Sequence, residues 1–239
     1  MAIHRVSQNP DLFDFIRDRG INVVIDVGAN IGQFGKFLRD NDYRGRIISF
    51  EPIESEFRTL SKRAEADGNW EAHHCGLGAA SGEALINVSE LSVFSSILTP
   101  NSVAIQFDER AAVKRTETIR LSTLDEVAVG LSDKILLKVD TQGYEKQVIE
   151  GGRQLITRLQ GIWMELPINH LYEDTWRFHE AVRFMEQAGF VPAQFHPVSY
   201  DSKDRMSMIE VDCLFLPLEL KASTPDLAPQ NVSHSGLSS

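Results

Sequence analysis

The sequence has few cysteines, a deficit of basic residues and no long hydrophobic run. Its two cysteines, Cys75 and Cys213, are far apart and fit neither a disulfide framework nor a Cys-x-x-Cys metal site, which indicates a reducing, cytoplasmic location. Lysine and arginine number 24 against 34 acidic residues, so the formal net charge is −10. Because phosphate neutralisation needs a basic face, this balance argues against nucleic acid as a partner. We also expect no transmembrane segment and no signal peptide.

The length and the pattern of the chain indicate one main domain with two flanking segments. The 239 residues suffice for a single α/β domain with a full core. Residues 1–20 are predicted to form a lead-in helix, and residues 21–217 the main domain. Within it, residues 84–121 are predicted to form an inserted β-hairpin that flanks the binding cleft. Residues 218–239 are predicted to be disordered, because they are largely rich in proline, serine and asparagine without a packing pattern.

Strand and helix patterns alternate along the main domain. Apolar, β-branched runs predict parallel strands at residues 23–27, 46–50, 70–75, 135–140 and 162–166. Helical patterns follow them, and a final helix over 178–188 leads into two further strands, from Phe190 and over 211–216. This alternation predicts a doubly wound α/β sheet.

The segment from Val23 to Phe34 is the first stretch with a chemical signature. A buried strand ends in an acid and two glycines, Gly28 and Gly32, before a helical pattern begins. Glu51 ends the next strand about 20 residues further on, where an acid accepts ribose hydroxyls. The Gly-x-x-x-Gly spacing differs from that of dinucleotide enzymes and favours a nucleoside without a pyrophosphate, such as S-adenosylmethionine (SAM). The alternative is an ordinary tight turn between strand and helix.

The segment from Lys138 to Glu145 is the second such stretch. Asp140 closes an apolar strand at its carboxyl end, the edge where open α/β sheets bind ligands. Gly143 permits a sharp turn into the next helix. Glu145 either has a functional role or only caps that helix and complements its dipole.

Three ordered blocks resemble the FkbM-type methyltransferases: Asp26-Val27-Gly28-Ala29-Asn30-Ile31-Gly32, Phe50-Glu51-Pro52, and Leu137-Lys138-Val139-Asp140-Thr141-Gln142-Gly143-Tyr144-Glu145 with Gly151-Gly152 after it. The resemblance implies a class I SAM-dependent methyltransferase fold: an α/β, Rossmann-like, doubly wound, mostly parallel seven-stranded sheet with a reversed C-terminal hairpin. It further implies methyl transfer to a hydroxyl of a sugar, a glycolipid or a related natural product. The acceptor itself does not transfer from so broad a family.

The resemblance also implies roles for individual residues. The loop after the first strand would face SAM through Asp26, Gly28, Asn30 and Gly32, and Glu51 would hold the ribose. Gly76 and Leu77 would lie near the adenine. Asp140 would lie beside the transferred methyl group, and S-adenosylhomocysteine (SAH) would be the product.

A hydroxyl acceptor benefits from a general base, and three side chains compete for that role. Asp140 and Glu165 end predicted strands at the carboxyl edge, and His170 follows shortly after Glu165. Histidine has the most suitable ordinary pKa. The two acids also suit Mg²⁺, but without a clear third ligand a metal is possible rather than expected.

Two other functions stay open at this level. One is an NAD-type oxidoreductase on a related sheet, against which the glycine spacing and Glu51-Pro52 count. The other is a non-catalytic SAM-binding scaffold, against which the retained acids count: Asp26, Glu51, Asp140 and Glu145.

Overall fold

The computed structural model describes residues 10–131, 134–201, 204 and 206–221. The strands are β1 (Val23–Val27), β2 (Arg46–Phe50), β3 (Trp70–His73), β4 (Gly76–Leu77), β5 (Gly82–Ser89), β6 (Val113–Ser122), β7 (Ile135–Val139), β8 (Leu159–Pro167), β9 (Phe190–Tyr200) and β10 (Met208–Pro217). The α-helices are α1 (Pro10–Arg19), α2 (Gln33–Asp40), α3 (Glu54–Glu65), α4 (Ser102–Phe107), α5 (Leu124–Val127), α6 (Glu145–Glu150), α7 (Phe178–Gln187) and α8 (Leu218–Lys221).

Seven strands form the main sheet, in the order β3-β2-β1-β7-β8-β10-β9. Neighbours from β3 to β8 are parallel, whereas β10 is antiparallel to both β8 and β9. The predicted doubly wound sheet with a reversed C-terminal hairpin is therefore confirmed. The strand order reverses between β1 and β7, and ligands of open α/β sheets bind at the carboxyl ends of the strands beside such a point.

Helices cover both faces of this sheet. Successive side chains of β1 point to opposite faces, so Ile25 joins one buried cluster and Val24 the other. The Ile25 cluster includes Leu124 of α5, Val148 of α6 and Met185 of α7. The Val24 cluster is completed by α1, α2 and α3 through Leu12, Ile16, Leu38 and Leu60. Because both faces are buried, these strands are continuous apolar runs.

A second sheet accounts for the inserted segment. Strands β5 and β6 form an antiparallel hairpin over residues 82–122, and β4 pairs with β6 in parallel. The predicted third strand over 70–75 was too long, because β3 ends at His73 and the chain moves to this second sheet at Gly76. Between β5 and β6 lies α4, where the Asn101 side chain accepts hydrogen bonds from Val103 N and Ala104 N.

The chain ends differ in part from the sequence predictions. The lead-in helix was predicted over 1–20 and spans Pro10–Arg19, while residues 1–9 lie outside the described residues. The disordered tail predicted from residue 218 is wrong for 218–221, which form α8 directly after β10, with Leu218 N bonded to Gly189 O. Residues 222–239 lie outside the described part. Among the described residues, no helix is both long and apolar enough to span a membrane.

Candidate functional site

A cavity of about 190 Å³ opens where β1, β2 and β7 end. The inserted segment and α1 contribute to its walls, as do β8, β9 and β10. Its lining includes the side chains of Leu12, Asn30, Phe34, Phe37, Glu51, Ile86, Ser96, Lys138, Asp140, Gln142, Trp163, Glu165, Val198 and Asp212. Most of the residues singled out from the sequence thus meet at one place.

The loop after β1 is tied to the end of β2 by backbone hydrogen bonds. Gly28 N and Ala29 N both donate to Phe50 O, at 3.1 and 3.0 Å. Asn30 takes a left-handed conformation, with φ of 49°. The Asn30 backbone N–H then points at the Glu51 carboxylate, which follows Phe50 directly.

Glu51 is held by two backbone donors at the edge of the cavity. Its Oε2 accepts from Asn30 N and its Oε1 from Ile53 N, each at 2.8 Å. Burial raises the pKa of Glu51 to about 8, although both backbone donors favour the charged form. Each oxygen keeps acceptor capacity for a further donor, as the two hydroxyls of a ribose would require.

Packing requires both Gly28 and Gly32, and Gly28 also lines the cavity. Both have positive φ, of 77° and 83°. A Cβ on Gly28 would lie 1.8 Å from the backbone oxygen of Asp140, so the ends of β1 and β7 touch here. A Cβ on Gly32 would meet Leu60 and Trp70, and Gly32 is absent from the cavity lining.

Lys138 joins the first and second sequence blocks. Its buried ammonium lies 3.3 Å from Asp26 Oδ1 and 3.3 Å from Asp140 Oδ2. Burial disfavours its charge, but the two carboxylates outweigh this and raise the pKa of Lys138 above its ordinary value. Asp26 is fully buried and receives a hydrogen bond from Ser49 Oγ. It is not part of the cavity lining, and its ion pair with Lys138 links it to that lining.

Gln142 is the centre of a buried hydrogen-bond network. Its Nε2 donates to Asp140 Oδ1 at 2.9 Å and to Glu165 Oε1 at 2.7 Å. Its Oε1 lies 2.8 Å from the Tyr172 hydroxyl. The backbone has φ of 55°, and the Ser96 hydroxyl donates to its carbonyl oxygen at 2.7 Å. The inserted segment thus helps to hold an amide that separates two carboxylates.

Glu165, which belongs to this network, and Asp212, which lies beside it, both have raised pKa values. Burial, and then the charge of Asp140, raise the pKa of Glu165 well above its ordinary range. The same two causes raise the pKa of Asp212 to about 7, against the opposing effect of Lys138. Asp212 pairs with Glu165 in the register of β10 and β8. Acids so close together disfavour one another's charge, so protons are held here near neutral pH.

The remaining predicted site residues divide between the cavity and its surroundings. Gly76 and Leu77 line the cavity beside Glu51. His170 is not in the lining, and its backbone oxygen accepts a hydrogen bond from Asn101 Nδ2. Glu145 Oε1 accepts from Thr141 N and Gly143 N, which precede α6, so this side chain holds the turn before the helix and does not cap it.

No group of three or more His, Cys, Asp or Glu side chains that could hold a metal ion occurs within 10–131, 134–201, 204 and 206–221. Asp140 and Glu165, the two acids considered as magnesium ligands, instead share the amide of Gln142.

Sequence reasoning missed several residues of the cavity. Gln142 and Lys138 stood inside the second block, but no pattern marked their side chains as a network. Asp212 could have been found, since it is an acid in an otherwise apolar strand, the same signal that drew attention to Glu165. Trp163 gave no signal, because a tryptophan in a buried strand is ordinary core.

Comparison with known proteins agrees with the geometry. A methyltransferase FkbM domain model matches residues 26–192. Methyltransferase 1 of Beauveria bassiana (strain ARSEF 2860) is 25% identical over 143 residues, covering 54% of this chain and 57% of the relative. Methyltransferase sdnD of Sordaria araneosa is 26% identical over 153 residues, covering 54% and 59%. The chain thus spans less than two thirds of the curated relatives it matches.

Solved structures support the fold alone. TehB from Haemophilus influenzae has a TM-score of 0.50 at 9% identity, covering 89% of this chain and 63% of TehB. The family match extends from Asp26 through both sequence blocks. This chain belongs to the FkbM family of SAM-dependent methyltransferases.

Proposed function

We propose that this protein transfers a methyl group from SAM to a hydroxyl oxygen of a small molecule, a sugar, a glycolipid or a related natural product. One observation carries the proposal: Glu51 and Asp140 line the same cavity. Glu51 can hydrogen-bond ribose hydroxyls, and Asp140 can accept the proton of a hydroxyl group. The two thiols are free and buried, which supports a reducing cytoplasmic setting.

Glu51 and its neighbours are proposed to bind the nucleoside. The carboxylate is fixed by Asn30 N and Ile53 N, so it is preorganised to accept from two ribose hydroxyls. The apolar side chains around it suit an adenine ring: Phe50, Pro52, Ile53, Leu77 and Ile86.

Asp140 is proposed to act as the general base. SAM, when bound, supplies a methyl group on a positively charged sulfur, and transfer to a hydroxyl oxygen releases SAH and the hydroxyl proton. An alcohol is a weak nucleophile while it keeps that proton, and a positioned base adds roughly 10²–10⁴-fold to the rate. Lys138 at 3.3 Å stabilises the carboxylate form of Asp140. Glu165 is less suitable, because burial and the charge of Asp140 raise its pKa and favour its protonated form.

Two experiments test the cofactor and the base. Calorimetry should show binding of SAM and SAH but not of NAD. With tritiated SAM and a library of hydroxyl acceptors, we expect label transfer that Asp140→Asn reduces at least tenfold. His170→Ala is the control variant, and we expect it to transfer label at a near-normal rate because His170 is not in the cavity lining.

Each alternative has its own signature in these data. Tight NAD binding with weak SAM binding would replace the proposal by an oxidoreductase. SAM binding without label transfer to any acceptor would indicate a scaffold. A slow His170→Ala enzyme that has lost the rising limb of its pH–rate profile would identify His170 as the base.

A further inference from the structure

The cavity lining includes a second group of apolar side chains, besides those proposed to surround the adenine ring. We call it the apolar wall and define it as Leu12, Phe34, Phe37, Trp163 and Val198. Lys138 pairs with Trp163 in the register of β7 and β8, so both side chains lie on one face of the sheet. The wall thus begins beside the ammonium that reaches Asp140, and it is continuous with the proposed transfer site.

Ring contacts fix the shape of the apolar wall. Phe37 packs against Phe34, with ring centroids 6.3 Å apart, and against Phe13 at 5.1 Å. The indole of Trp163 stacks on His196 with centroids 5.2 Å apart and planes 18° from parallel. These aromatic contacts make the wall a preformed surface, as small-molecule sites usually require.

Acids border the apolar wall. The charged side chains of the cavity lining are Glu51, Lys138, Asp140, Glu165 and Asp212. Lys138 is the one cation in that lining, and it already lies between Asp26 and Asp140. The Trp163 indole donates to Asp212, so this acid lies at the edge of the wall. An anionic acceptor would be disfavoured at this edge, because the carboxylates of Asp26 and Asp140 together exceed the single positive charge of Lys138.

We propose that the acceptor carries an aromatic or alicyclic body and no anionic group. Its apolar body packs against the apolar wall, and its reacting hydroxyl faces Asp140 at the acid-rich edge. This inference rests on the proposed function and narrows the acceptor class from any hydroxyl compound to one that is apolar on one side.

Two glucosides and one glucuronide with the same pyranose ring test the inference by calorimetry on the full chain with saturating SAH. We expect phenyl β-D-glucopyranoside to bind at least tenfold more tightly than methyl β-D-glucopyranoside. Phenyl β-D-glucuronide, which has a carboxylate in place of the C6 hydroxymethyl group, should bind at least tenfold more weakly than the phenyl glucoside. Phe37→Ala should abolish the advantage of the phenyl group while leaving SAH affinity unchanged.

Phe57→Ala is the matched control. Phe57 packs against the same buried cluster as Phe37 and stacks on His74, but it does not line the cavity. We expect this variant to keep the preference for the phenyl glucoside, which separates a wall contact from a general loss of packing.

Several results would overturn the inference. These are equal affinities for the phenyl and methyl glucosides, no measurable binding of either, tight binding of the glucuronide, or a preference that survives Phe37→Ala. Weakened SAH binding in Phe37→Ala would show that the cofactor, not the acceptor, occupies the wall. Absence of SAH binding in the unaltered protein would instead count against the proposed function, so the two failures are distinguishable.

Discussion

The two ends of the cavity are held together by different kinds of hydrogen bond. We call the region around Glu51, where we propose that the nucleoside binds, the nucleoside end; there, backbone N–H groups of Asn30 and Ile53 hold the Glu51 carboxyl group. We call the region around Asp140, where we propose that methyl transfer occurs, the transfer end; there, the Gln142 amide joins Asp140 to Glu165, two side chains from the ends of different strands. The first arrangement depends on the path of the main chain, and the second on the identity of each side chain.

This difference has consequences for how each end responds to change. Backbone donors neither titrate nor vary with sequence, so the nucleoside end depends mainly on a correct loop. The transfer end contains interacting acids whose charges depend on one another. We therefore expect changes at the nucleoside end to alter affinity or stability, and changes at the transfer end to alter rates and pH dependence.

Gly28→Ala should have the largest effect, because the end of β1 is in contact with the end of β7 at Gly28. Its φ of 77° is unfavourable for alanine, and the added Cβ would meet the Asp140 backbone oxygen at 1.8 Å. We expect the free energy of unfolding to fall by about 3 kcal/mol or more, together with loss of SAM binding. Urea denaturation and calorimetry measure both effects.

Gly68→Ala is the control for this substitution, since no atom lies within 4 Å of its added Cβ. Equal free energies of unfolding for Gly28→Ala and Gly68→Ala would contradict the close contact between the ends of β1 and β7.

Glu51→Ala should weaken SAM binding by about 1–3 kcal/mol, the scale of hydrogen bonds lost by buried polar groups. The rate at saturating SAM should change less than the affinity, because Glu51 lies at the nucleoside end. Calorimetry and a SAM titration of the transfer rate separate the two quantities. Glu83→Ala, an exposed acid of β5, should bind SAM normally. Unchanged affinity in Glu51→Ala would remove Glu51 from the cofactor site.

Gln142→Leu should change the rate more than the affinity. We expect a transfer rate at least tenfold lower and a SAM affinity near that of the unaltered protein. Without the amide, Asp140 and Glu165 lose a shared donor and favour a shared proton. The rising limb of the pH–rate profile should therefore move to higher pH.

Tyr172→Phe is the control for Gln142→Leu. It removes the hydroxyl beside Gln142 Oε1 but keeps the ring and the amide. We expect Tyr172→Phe to lose less transfer rate than Gln142→Leu and to leave the rising limb of the pH–rate profile at its original pH. Identical pH profiles for Gln142→Leu and the unaltered protein would show that the amide does not control the charge of Asp140.

Asp212→Asn should alter how stability depends on pH. The pKa of Asp212 in the folded protein is about 7, above the ordinary value of 3.8. Because the folded pKa is raised, this group stabilises the fold below pH 4, and that contribution is lost as pH rises towards 7. The variant should flatten this decline, by about 4 kcal/mol at most, since each unit of pKa difference corresponds to about 1.4 kcal/mol. Thermal denaturation at several pH values checks this, with exposed Asp14→Asn as the control; parallel curves for Asp212→Asn and the unaltered protein would contradict the raised pKa.

Much of the nucleoside end could be predicted from the sequence because it is built from contiguous residues. A strand, a glycine turn and a helix follow one another directly, and Glu51 ends the next strand. Even so, the reason for Gly28 was not visible, since the oxygen that excludes a side chain there belongs to Asp140, more than a hundred residues away.

The transfer end could be predicted only in outline. Asp140 and Glu165 were identified because each acid ends an apolar strand. Their relation to Gln142, Lys138 and Asp212 was not, because it depends on which strands become neighbours and in what register.

The order of local elements, the buried strands and the acid at the tip of β2 follow from the sequence alone, since they depend on periodicity and on residues close together in the chain. The tertiary structure decided the rest. It brought β10 beside β8, which placed Asp212 opposite Glu165. It also brought Ser96 of the inserted segment against Gln142. Contacts between distant segments are set by how the layers pack, and packing depends on all the buried side chains together rather than on any short pattern.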